Sequence, residues 1–522
     1  MQKFISFFCV IIILFLCVFS GCDSKANLAT TVPGVTGDSV STISPGEDHM
    51  HADSDDNGVC DHCNGSLLVN FDIYVVNDLH GKFADTDTQP GVDELSTYLR
   101  AAQFGNENPV FLSSGDMWQG SSESNLTKGY IMTDWMNDLG FTAMTLGNHE
   151  FDWGEDIIRQ NEEIANFPFL AINIYNKDTN QRVEYCDASV MIDRNGVQIG
   201  IIGAIGDCYS SIASDWTKDI YFLTGKDLTD LVKAESERLR AAGADFIIYS
   251  LHDGYGGKNY ASTISDSDLS GYYNTVLSDG YVDIVFEGHT HKYYVKQDSR
   301  GVYHLQGGGD NQGIIYVDVD INSVTGSSAV NIAKFVGTEQ YNSYSDDPIV
   351  DTLMEKYDEQ VSIGNEVLGY NSTNLSGHEL RRICADLYYE FGEERWGDAY
   401  DIVLGGGFFS VRSPGYLASG EITYSQLQMI MPFDNHLVLC SIKGKDLKDK
   451  FFESDNTNYF ISYGEYGSQV KENLDPDATY YLVVDSYTST YGPNKLTEIQ
   501  RCDENIFARD LLAEYIRNGL LE

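Results

Sequence analysis

The chain has 522 residues, more than one hydrophobic core normally supports, so two folded domains with appendages are expected. Hydrophobic residues make up 42% of the chain, which excludes an intrinsically disordered protein. The net charge of −46 argues against a surface that binds nucleic-acid polymers, so an anionic substrate would need a local positive site made by metal ions or a few arginines.

The N-terminus predicts export. An apolar run over residues 4–19 is followed by the tripeptide Ser-Gly-Cys22. A short apolar core that ends in small residues is typical of a signal peptide and not of a membrane-spanning helix, and we assign residues 1–21 to it. The tripeptide resembles the bacterial lipobox, whose cysteine is acylated, although Phe19 stands where leucine is usual. A lipoprotein on the outer face of the bacterial membrane is therefore expected; a secreted or periplasmic protein with an ordinary cleaved signal peptide is the alternative.

Residues 22–68 are predicted to form a flexible tether, because Ser, Thr, Gly and Asp dominate there. Three interpretations stay open for a motif inside it. The sequence Asp-Ser-Asp-Asp-Asn-Gly from Asp53 resembles a calcium loop, although Asn64 stands where a bidentate glutamate is required. Alternatively, two histidines and two cysteines hold a zinc ion; these are His49, His51, Cys60 and Cys63. The third interpretation is a solvated acidic linker.

From residue 69 to about 340, apolar runs of strand length alternate with helical segments, as in an α/β domain. Six runs are predicted to be strands: 71–76, 110–113, 143–146, 198–202, 246–250 and 284–286. Several are apolar throughout, as strands buried on both faces should be. A linker over 341–367 includes a predicted helix at 348–359. A second α/β domain is predicted over 368–522, with a helix at 380–391 and strands at 437–442 and 480–484.

Five apolar runs of the first domain end in side chains that can bind a metal ion. In chain order these are Asp78 and His80, Asp116, Asn148 and His149, His252, and His289 and His291. Because the C-terminal ends of parallel strands form the crevice where ligands bind, these side chains converge if the strands lie in one sheet region. Asp, His and Asn without thiolate suit zinc, manganese or iron, and two such ions can clamp the oxygens of a phosphoryl transfer. The residues alone thus indicate metal-assisted hydrolysis.

Calcineurin-like metallophosphoesterases carry five motifs in a fixed order, and this chain has all five: Asp78-x-His80, Gly-Asp116, Gly-Asn148-His149-Glu150, His252 and Gly-His289-Thr-His291. With a second C-terminal domain, the chain resembles the bacterial 5′-nucleotidase family, which includes UDP-sugar hydrolases and 2′,3′-cyclic nucleotide phosphodiesterases. The resemblance covers residues 70–522. It implies a four-layer α/β/β/α metallophosphoesterase domain followed by an α/β nucleotide-recognition domain.

The resemblance also implies two divalent metal ions and their ligands. One ion is assigned to Asp78, His80, Asp116 and His291, and the other to Asp116, Asn148, His252 and His289, so that Asp116 bridges them. Water activated by the two ions is the implied nucleophile.

His149 matches the family's catalytic histidine, which stabilises or protonates the charge that develops on the phosphoryl or leaving-group oxygen. Asp152 matches the carboxylate that orients this ring. Glu150, between them, is expected to fix its loop and not to bind metal.

The family's second domain stacks the nucleoside base between two aromatic rings, which contributes about 1–3 kcal/mol. Phe433, in the motif Pro-Phe-Asp-Asn, matches one ring, and Tyr487 lies where the other is expected. Asn435 can form a hydrogen bond to the edge of the base.

Two departures from the family lie around this pocket. The usual Gly-Gly-Gly-Ile-Arg is replaced by a longer Gly-Gly-Gly-Phe-Phe-Ser-Val-Arg that ends at Arg412. Arg412 is nevertheless expected to bind substrate oxygens, because a guanidinium group suits them, with Arg381 or Arg382 as a second contact. Tyr-Gly-Pro-Asn at residues 491–494 replaces a glycine-rich stretch.

The predicted activity is phosphate release from nucleotides by an exported two-metal hydrolase. Hydrolysis of 2′,3′-cyclic nucleotides, with 3′-nucleotidase action, or of UDP-sugars is the alternative within the family, and a non-nucleotide phosphate ester is an alternative substrate. A surface protein that binds nucleotides without turnover is the alternative from another class. The predicted partners are the nucleotide and, through Cys22, the membrane; neither a nucleic-acid polymer nor an obligate protein partner is predicted.

Overall fold

The computed structural model describes residues 50–85, 90–105, 109–255, 280–298, 300–409, 411–412, 414–454, 459–490, 496–502 and 506–519. The predicted signal peptide, the lipidation residue Cys22 and His49 lie outside the described residues.

Two six-stranded sheets form the centre of the first domain. In the first sheet four strands run parallel, and a C-terminal hairpin joins them through its first strand, which is antiparallel to the first strand of the domain. The strands are Leu68–Val76, Val110–Ser113, Ala143–Thr145, Phe169–Leu170, Gly313–Asn322 and Ser328–Gly337. The second sheet has four parallel strands between two antiparallel edges; its strands are Ser189–Arg194, Val197–Ile205, Phe246–His252, Ile284–Glu287, Tyr293–Gln297 and Tyr303–Gly307. A small pair, Ile174–Asn176 and Ile220–Phe222, lies apart from both sheets.

Alternation along the strands explains why the two sheets pack face to face. In the first strand Phe71, Ile73 and Val75 belong to the core between the sheets, whereas Tyr74 and Val76 belong to the core beneath the helices. Successive side chains point to opposite faces of a strand, so an apolar residue at every position requires a covering layer on both faces.

Helices supply the two outer layers. The helices around the first sheet are Asp93–Gly105, Tyr130–Leu139 and Glu155–Ile164, and the helix on the second sheet is Gly225–Ala241. Short helical segments lie between these elements. Two are α-helical, Ser122–Leu126 and Thr338–Tyr341, and three are 3-10 helices, His149–Phe151, Asp207–Ser211 and Ser214–Thr217. The result is the predicted four-layer α/β/β/α arrangement.

A five-stranded mixed sheet organises the second domain. Its strands in spatial order are Tyr459–Ser462, Ile402–Phe408, Thr479–Asp485, Leu437–Lys443 and Thr497–Arg501. Two short strand pairs flank it, Val367–Asn371 with Gly420–Thr423 and Leu375–Ser376 with Tyr416–Leu417. The helices are Gly377–Trp396, Tyr424–Ile430, Gly444–Leu447, Lys448–Phe452, Glu465–Glu472, Ser486–Thr490 and Ala508–Arg517. Separate apolar clusters cover the two faces of the sheet.

All predicted strands are present, but two predicted helices have different bounds. The linker helix ends at Lys356 and not at residue 359, because Tyr357 leaves the helical region at φ −106° and ψ 17°; a short helix, Asp358–Val361, and the turn Ser362–Asn365 follow. The helix predicted at 380–391 spans Gly377–Trp396, since Ser376 and Glu379 form a capping box that begins it earlier.

Among the described residues, no helix is both long and apolar enough to cross a membrane. No disulfide joins the seven cysteines among them.

Candidate metal centre and substrate cleft

The predicted metal ligands converge although their strands do not share one sheet. The runs that lead to Asp78, Asp116 and Asn148 lie in the first sheet, and those that lead to His252 and His289 lie in the second. Convergence, which the sequence made conditional on a single sheet region, comes instead from two sheets. The C-terminal ends of their parallel strands bring both sets of side chains together.

A first group of ligand atoms is formed by Asp78, His80 and His291, which lie within 4.8 Å of one another. The His80 Nδ1 atom lies 2.9 Å from the carbonyl oxygen of Gln119, which can only accept, so Nδ1 carries the proton. This leaves the lone pair of His80 Nε2 directed at His291 Nε2, 2.9 Å away. His291 Nε2 is 3.7 Å from Asp78 Oδ1.

A second group surrounds His252. Its Nδ1 donates to the carbonyl oxygen of Ser114 at 2.7 Å, and its Nε2 lies 3.1 Å from Asp116 Oδ2 and 3.2 Å from Asn148 Oδ1. The same Asn148 oxygen is 2.9 Å from His289 Nδ1. The Asp116 carboxylate also lies within reach of the first group, so it occupies the position between the two that a bridging ligand requires.

The chemistry of both groups fits divalent cations. Asp78 and Asp116 are 0% and 1% exposed, and buried carboxylates need a positive partner. Burial raises the pKa of Asp78 to about 6, although His252 and His291 act in the opposite direction. His80 Nε2 lies 2.9 Å from His291 Nε2 and His252 Nε2 lies 3.1 Å from Asp116 Oδ2, and oxygen and imidazole donors of this kind suit zinc, manganese or iron.

The backbone at these positions is strained. Five of the seven predicted ligands have a positive φ angle between 50° and 67°: Asp78, His80, Asp116, His289 and His291. Each such residue costs on the order of 1–3 kcal/mol and persists only where its surroundings fix it. Strain of this kind concentrates at functional sites.

Glu150 fixes two of the ligand loops. One carboxylate oxygen accepts the N–H groups of Asp116 at 2.9 Å and of Gly147 at 2.7 Å, and the other accepts that of Met117 at 2.8 Å. The side chain is fully buried. Glu150 thus has the loop-fixing position expected from the sequence. Gly147 leaves room for this arrangement, since a Cβ atom there would lie 2.3 Å from Asp116 Oδ1.

His149 stands beside the metal ligands, and its orientation is set by two carboxylates. Its Nδ1 lies 2.7 Å from Asp152 Oδ2, and its backbone N–H donates to Asp116 Oδ1 at 2.8 Å. Burial opposes protonation, but Asp152 and Asp116 outweigh it and raise the pKa of His149 to about 9. The ring lies 5.1 Å from the ring of His80 and, on its other side, stacks on Phe433 of the second domain at 5.9 Å and 26°.

A cavity of about 610 Å³ lies between the metal ligands and the second domain. All five predicted substrate-binding residues line it: Arg381, Arg412, Phe433, Asn435 and Tyr487. The Arg412 guanidinium lies 5.1 Å above the ring of Phe433, and Arg381 donates to the carbonyl oxygen of Phe409 at 3.1 Å. The departure at residues 491–494 lies outside the described residues.

Sequence reasoning missed three residues of this cleft. Phe408 places its ring 5.8 Å from that of Tyr487; the aromatic insertion in the altered glycine motif was a signal for it. Asp434 is bound by the buried Arg509 at 2.7 Å and by Lys128 of the first domain at 2.6 Å. Asp434 was visible within the Pro-Phe-Asp-Asn motif, whereas nothing in the sequence marked Arg509.

Comparison with known proteins agrees with this geometry. Residues 71–293 match the calcineurin-like phosphoesterase family, and residues 372–466 match the 5′-nucleotidase C-terminal domain. The chain thus contains a calcineurin-like phosphoesterase domain followed by a 5′-nucleotidase C-terminal domain. The predicted family, fold class and enzyme class are confirmed, and so is the requirement for two divalent metal ions.

Two relatives and one solved structure illustrate the similarity. Protein UshA of Yersinia enterocolitica is 25% identical over 87% of this chain and 89% of its own length. Endonuclease YhcR of Bacillus subtilis is 26% identical over 80% of this chain, which spans only 37% of that protein. The 5′-nucleotidase precursor of Thermus thermophilus has the same fold, with a TM-score of 0.63 and 18% identity over 86% of this chain and 97% of its own.

The position of Glu150 predicts the effect of replacing it with glutamine. In Glu150→Gln an amide NH₂ faces backbone N–H groups, so buried donors lose their acceptor at about 1–3 kcal/mol in the free energy of unfolding. We expect metal affinity and phosphoesterase activity to fall about 10- to 100-fold, measured by metal titration and by phosphate release. Glu162→Gln, the same change at an exposed residue, is the control. Equal behaviour of the two variants would contradict this role.

Proposed function

We propose that the enzyme releases phosphate from nucleotides, with 5′-nucleoside monophosphates as its preferred substrates. The observation that carries the proposal is the stacking of Phe433 on His149, with Arg412 above the same aromatic ring. A base-stacking ring, a cation for phosphate oxygens and the predicted catalytic imidazole thereby meet in one cleft beside the metal ligands. The names of UshA and of the 5′-nucleotidases among the relatives support this substrate class.

In the proposed mechanism Asp78, His80, Asp116 and His291 would hold one metal ion, and Asp116, Asn148, His252 and His289 would hold the other. Divalent ions bound there would supply an activated water and neutralise charge on the phosphoryl oxygens. Asp152 accepts the Nδ1 proton of His149 and so directs Nε2 into the cleft. From there a protonated His149 donates to the oxygen that gains charge as the ester bond breaks.

The second domain binds the rest of the substrate. Phe433 and Tyr487 offer faces for the base, and Asn435 can contact its edge. Arg412 and Arg381 present donors to phosphate or ribose oxygens. Phe408, beside Tyr487, adds a further aromatic face.

Replacement of Phe433 tests the nucleotide assignment. Phe433→Ala removes a stacking contact of about 1–3 kcal/mol, so kcat/KM for 5′-nucleoside monophosphates should fall about 5- to 100-fold. Phosphate release from glycerol phosphate, which has no ring to stack, should stay unchanged. The control Phe104→Ala removes a phenylalanine that is 93% exposed and should resemble the unaltered enzyme.

The same assay decides between the substrate classes. It compares 5′-, 3′- and 2′,3′-cyclic nucleotides, a UDP-sugar and sugar phosphates, each with and without chelator. Higher kcat/KM for cyclic nucleotides or UDP-sugars would reassign the substrate within the family, and higher kcat/KM for sugar phosphates would reject the nucleotide.

Replacement of His149 tests turnover. His149→Ala should lower kcat about 10²- to 10⁴-fold while both metal ions stay bound, whereas Asp116→Ala should also lose metal. The measurements are nucleotide turnover and metal content, with the exposed His378→Ala as the control. Full activity of the His149 and Asp116 variants would refute the mechanism, and nucleotide binding without turnover by the unaltered chain would favour a binding protein.

We further propose export and a lipid anchor at Cys22, which the sequence of residues 4–22 supports. In Cys22→Ala the thiol at the proposed acylation position is absent, so the protein should leave the membrane fraction and should not incorporate a labelled fatty acid. Cys17→Ala, within the signal peptide, is the control and should remain labelled. Label that persists in Cys22→Ala would disprove this anchor.

A further inference from the structure

A second group of metal-binding side chains lies before the first strand, outside the catalytic cleft. The ligand atoms of His51, Cys60 and Cys63 all lie within 4.8 Å of one another. His51 Nδ1 is 3.2 Å from Cys60 Sγ and 3.8 Å from Cys63 Sγ. Both cysteine sulphur atoms therefore lie within 4 Å of the same imidazole nitrogen.

These distances suit a tetrahedral zinc ion. With Zn–S bonds of about 2.3 Å and Zn–N bonds of about 2.0 Å, a nitrogen and a sulphur on the same tetrahedral ion lie about 3.5 Å apart. The two measured separations lie on either side of this value. The three side chains can therefore reach one ion with small adjustments.

The turn around Cys60 holds its sulphur beside the histidine. Cys60 is 0% exposed, and its Sγ lies 3.2 Å from His51 Nδ1. The turn closes through the Asn64 N–H, which donates to the carbonyl oxygen of Cys60 at 2.9 Å, and Asn64 has a φ of 57°. Closely spaced cysteines on a tight turn beside an imidazole are typical ligands of a structural zinc ion.

The acidic residues of the same segment have a different role. Asp53 accepts the N–H groups of Asn57 at 3.0 Å and Gly58 at 2.7 Å, and the side-chain amide of Asn322 at 2.6 Å. Asp56 accepts the hydroxyl of Thr325 at 2.6 Å. These carboxylates attach the segment to the hairpin of the first sheet. We therefore infer that Asp53 and Asp56 hold the segment on this hairpin and do not form a calcium loop.

We propose that His51, Cys60 and Cys63 bind a structural zinc ion that holds residues 51–66 in one conformation on this hairpin. The segment has few apolar side chains of its own. Val59 is 39% exposed, and Cys60 and Leu67 are the only buried apolar side chains within residues 51–68. A metal crosslink supplies the stability that so small a core cannot. Thiolate ligands distinguish this site from the oxygen and nitrogen donors of the catalytic centre, and one coordination position is left for a fourth donor.

The test measures zinc in the full chain with the bridging catalytic ligand, Asp116, replaced. In the Asp116→Ala background we expect about one zinc ion per chain, which is lost when Cys60→Ser and Cys63→Ser are added. Cobalt in place of zinc should give a sulphur-to-metal charge-transfer band that the two serine variants abolish. His51→Ala should weaken zinc affinity at least tenfold, and the exposed His378→Ala should not.

Three results would overturn the proposal. They are an Asp116→Ala chain without zinc, retention of zinc by the double serine variant, and a Cys60–Cys63 disulfide in the exported protein as isolated. To separate loss of zinc from loss of fold, Cys60→Ser and Cys63→Ser are also made in the unaltered background. Phosphate release with manganese should persist there, because neither cysteine belongs to the catalytic cleft.

Discussion

The carboxylate of Glu150 is the constraint on which the catalytic centre depends. It accepts backbone N–H groups from the loop after the second strand of the first sheet and from the loop after the third. Asp116, the ligand on the first of these loops, has a φ of 55°, in a backbone region that is unfavourable for residues other than glycine. One buried carboxyl group therefore stabilises a conformation that this loop would not adopt alone, and it does so without occupying a coordination position. The loops that carry Asp116 and Asn148 are therefore held in place by the protein itself.

His149 links this rigid centre to the second domain. Its imidazole is held by Asp152 on one side and stacks on Phe433 on the other. In the proposed mechanism, the catalytic imidazole of His149 is therefore adjacent to Phe433, the ring proposed to stack on the base. The altered glycine motif changes the wall of the cleft at Phe408 and Arg412 and leaves the metal ligands untouched.

The sequence was sufficient for the features that depend on short stretches of chain. A buried strand followed at once by a ligand can be recognised locally, which is why the ligand loops and the strand positions agree with the structure. Contacts between distant segments could not be predicted. Asp53 meets Asn322 across 269 positions, so the motif before the first strand kept three interpretations. The helix end at Tyr357 and the position of Arg509 likewise depend on tertiary packing. The spacing of apolar residues in the sequence contains no information about such packing.

The pairing of Asp434 has a consequence for the energy of separating the two domains. Its carboxylate has two cationic partners, and only Lys128 belongs to the first domain. Lys128 is 37% exposed, so solvent can replace this contact at little cost, whereas Arg509 remains with Asp434 inside the second domain. Separating Lys128 from Asp434 would therefore leave no isolated charge in a buried position. The electrostatic cost of loosening this contact between the domains is low, and added salt would lower it further.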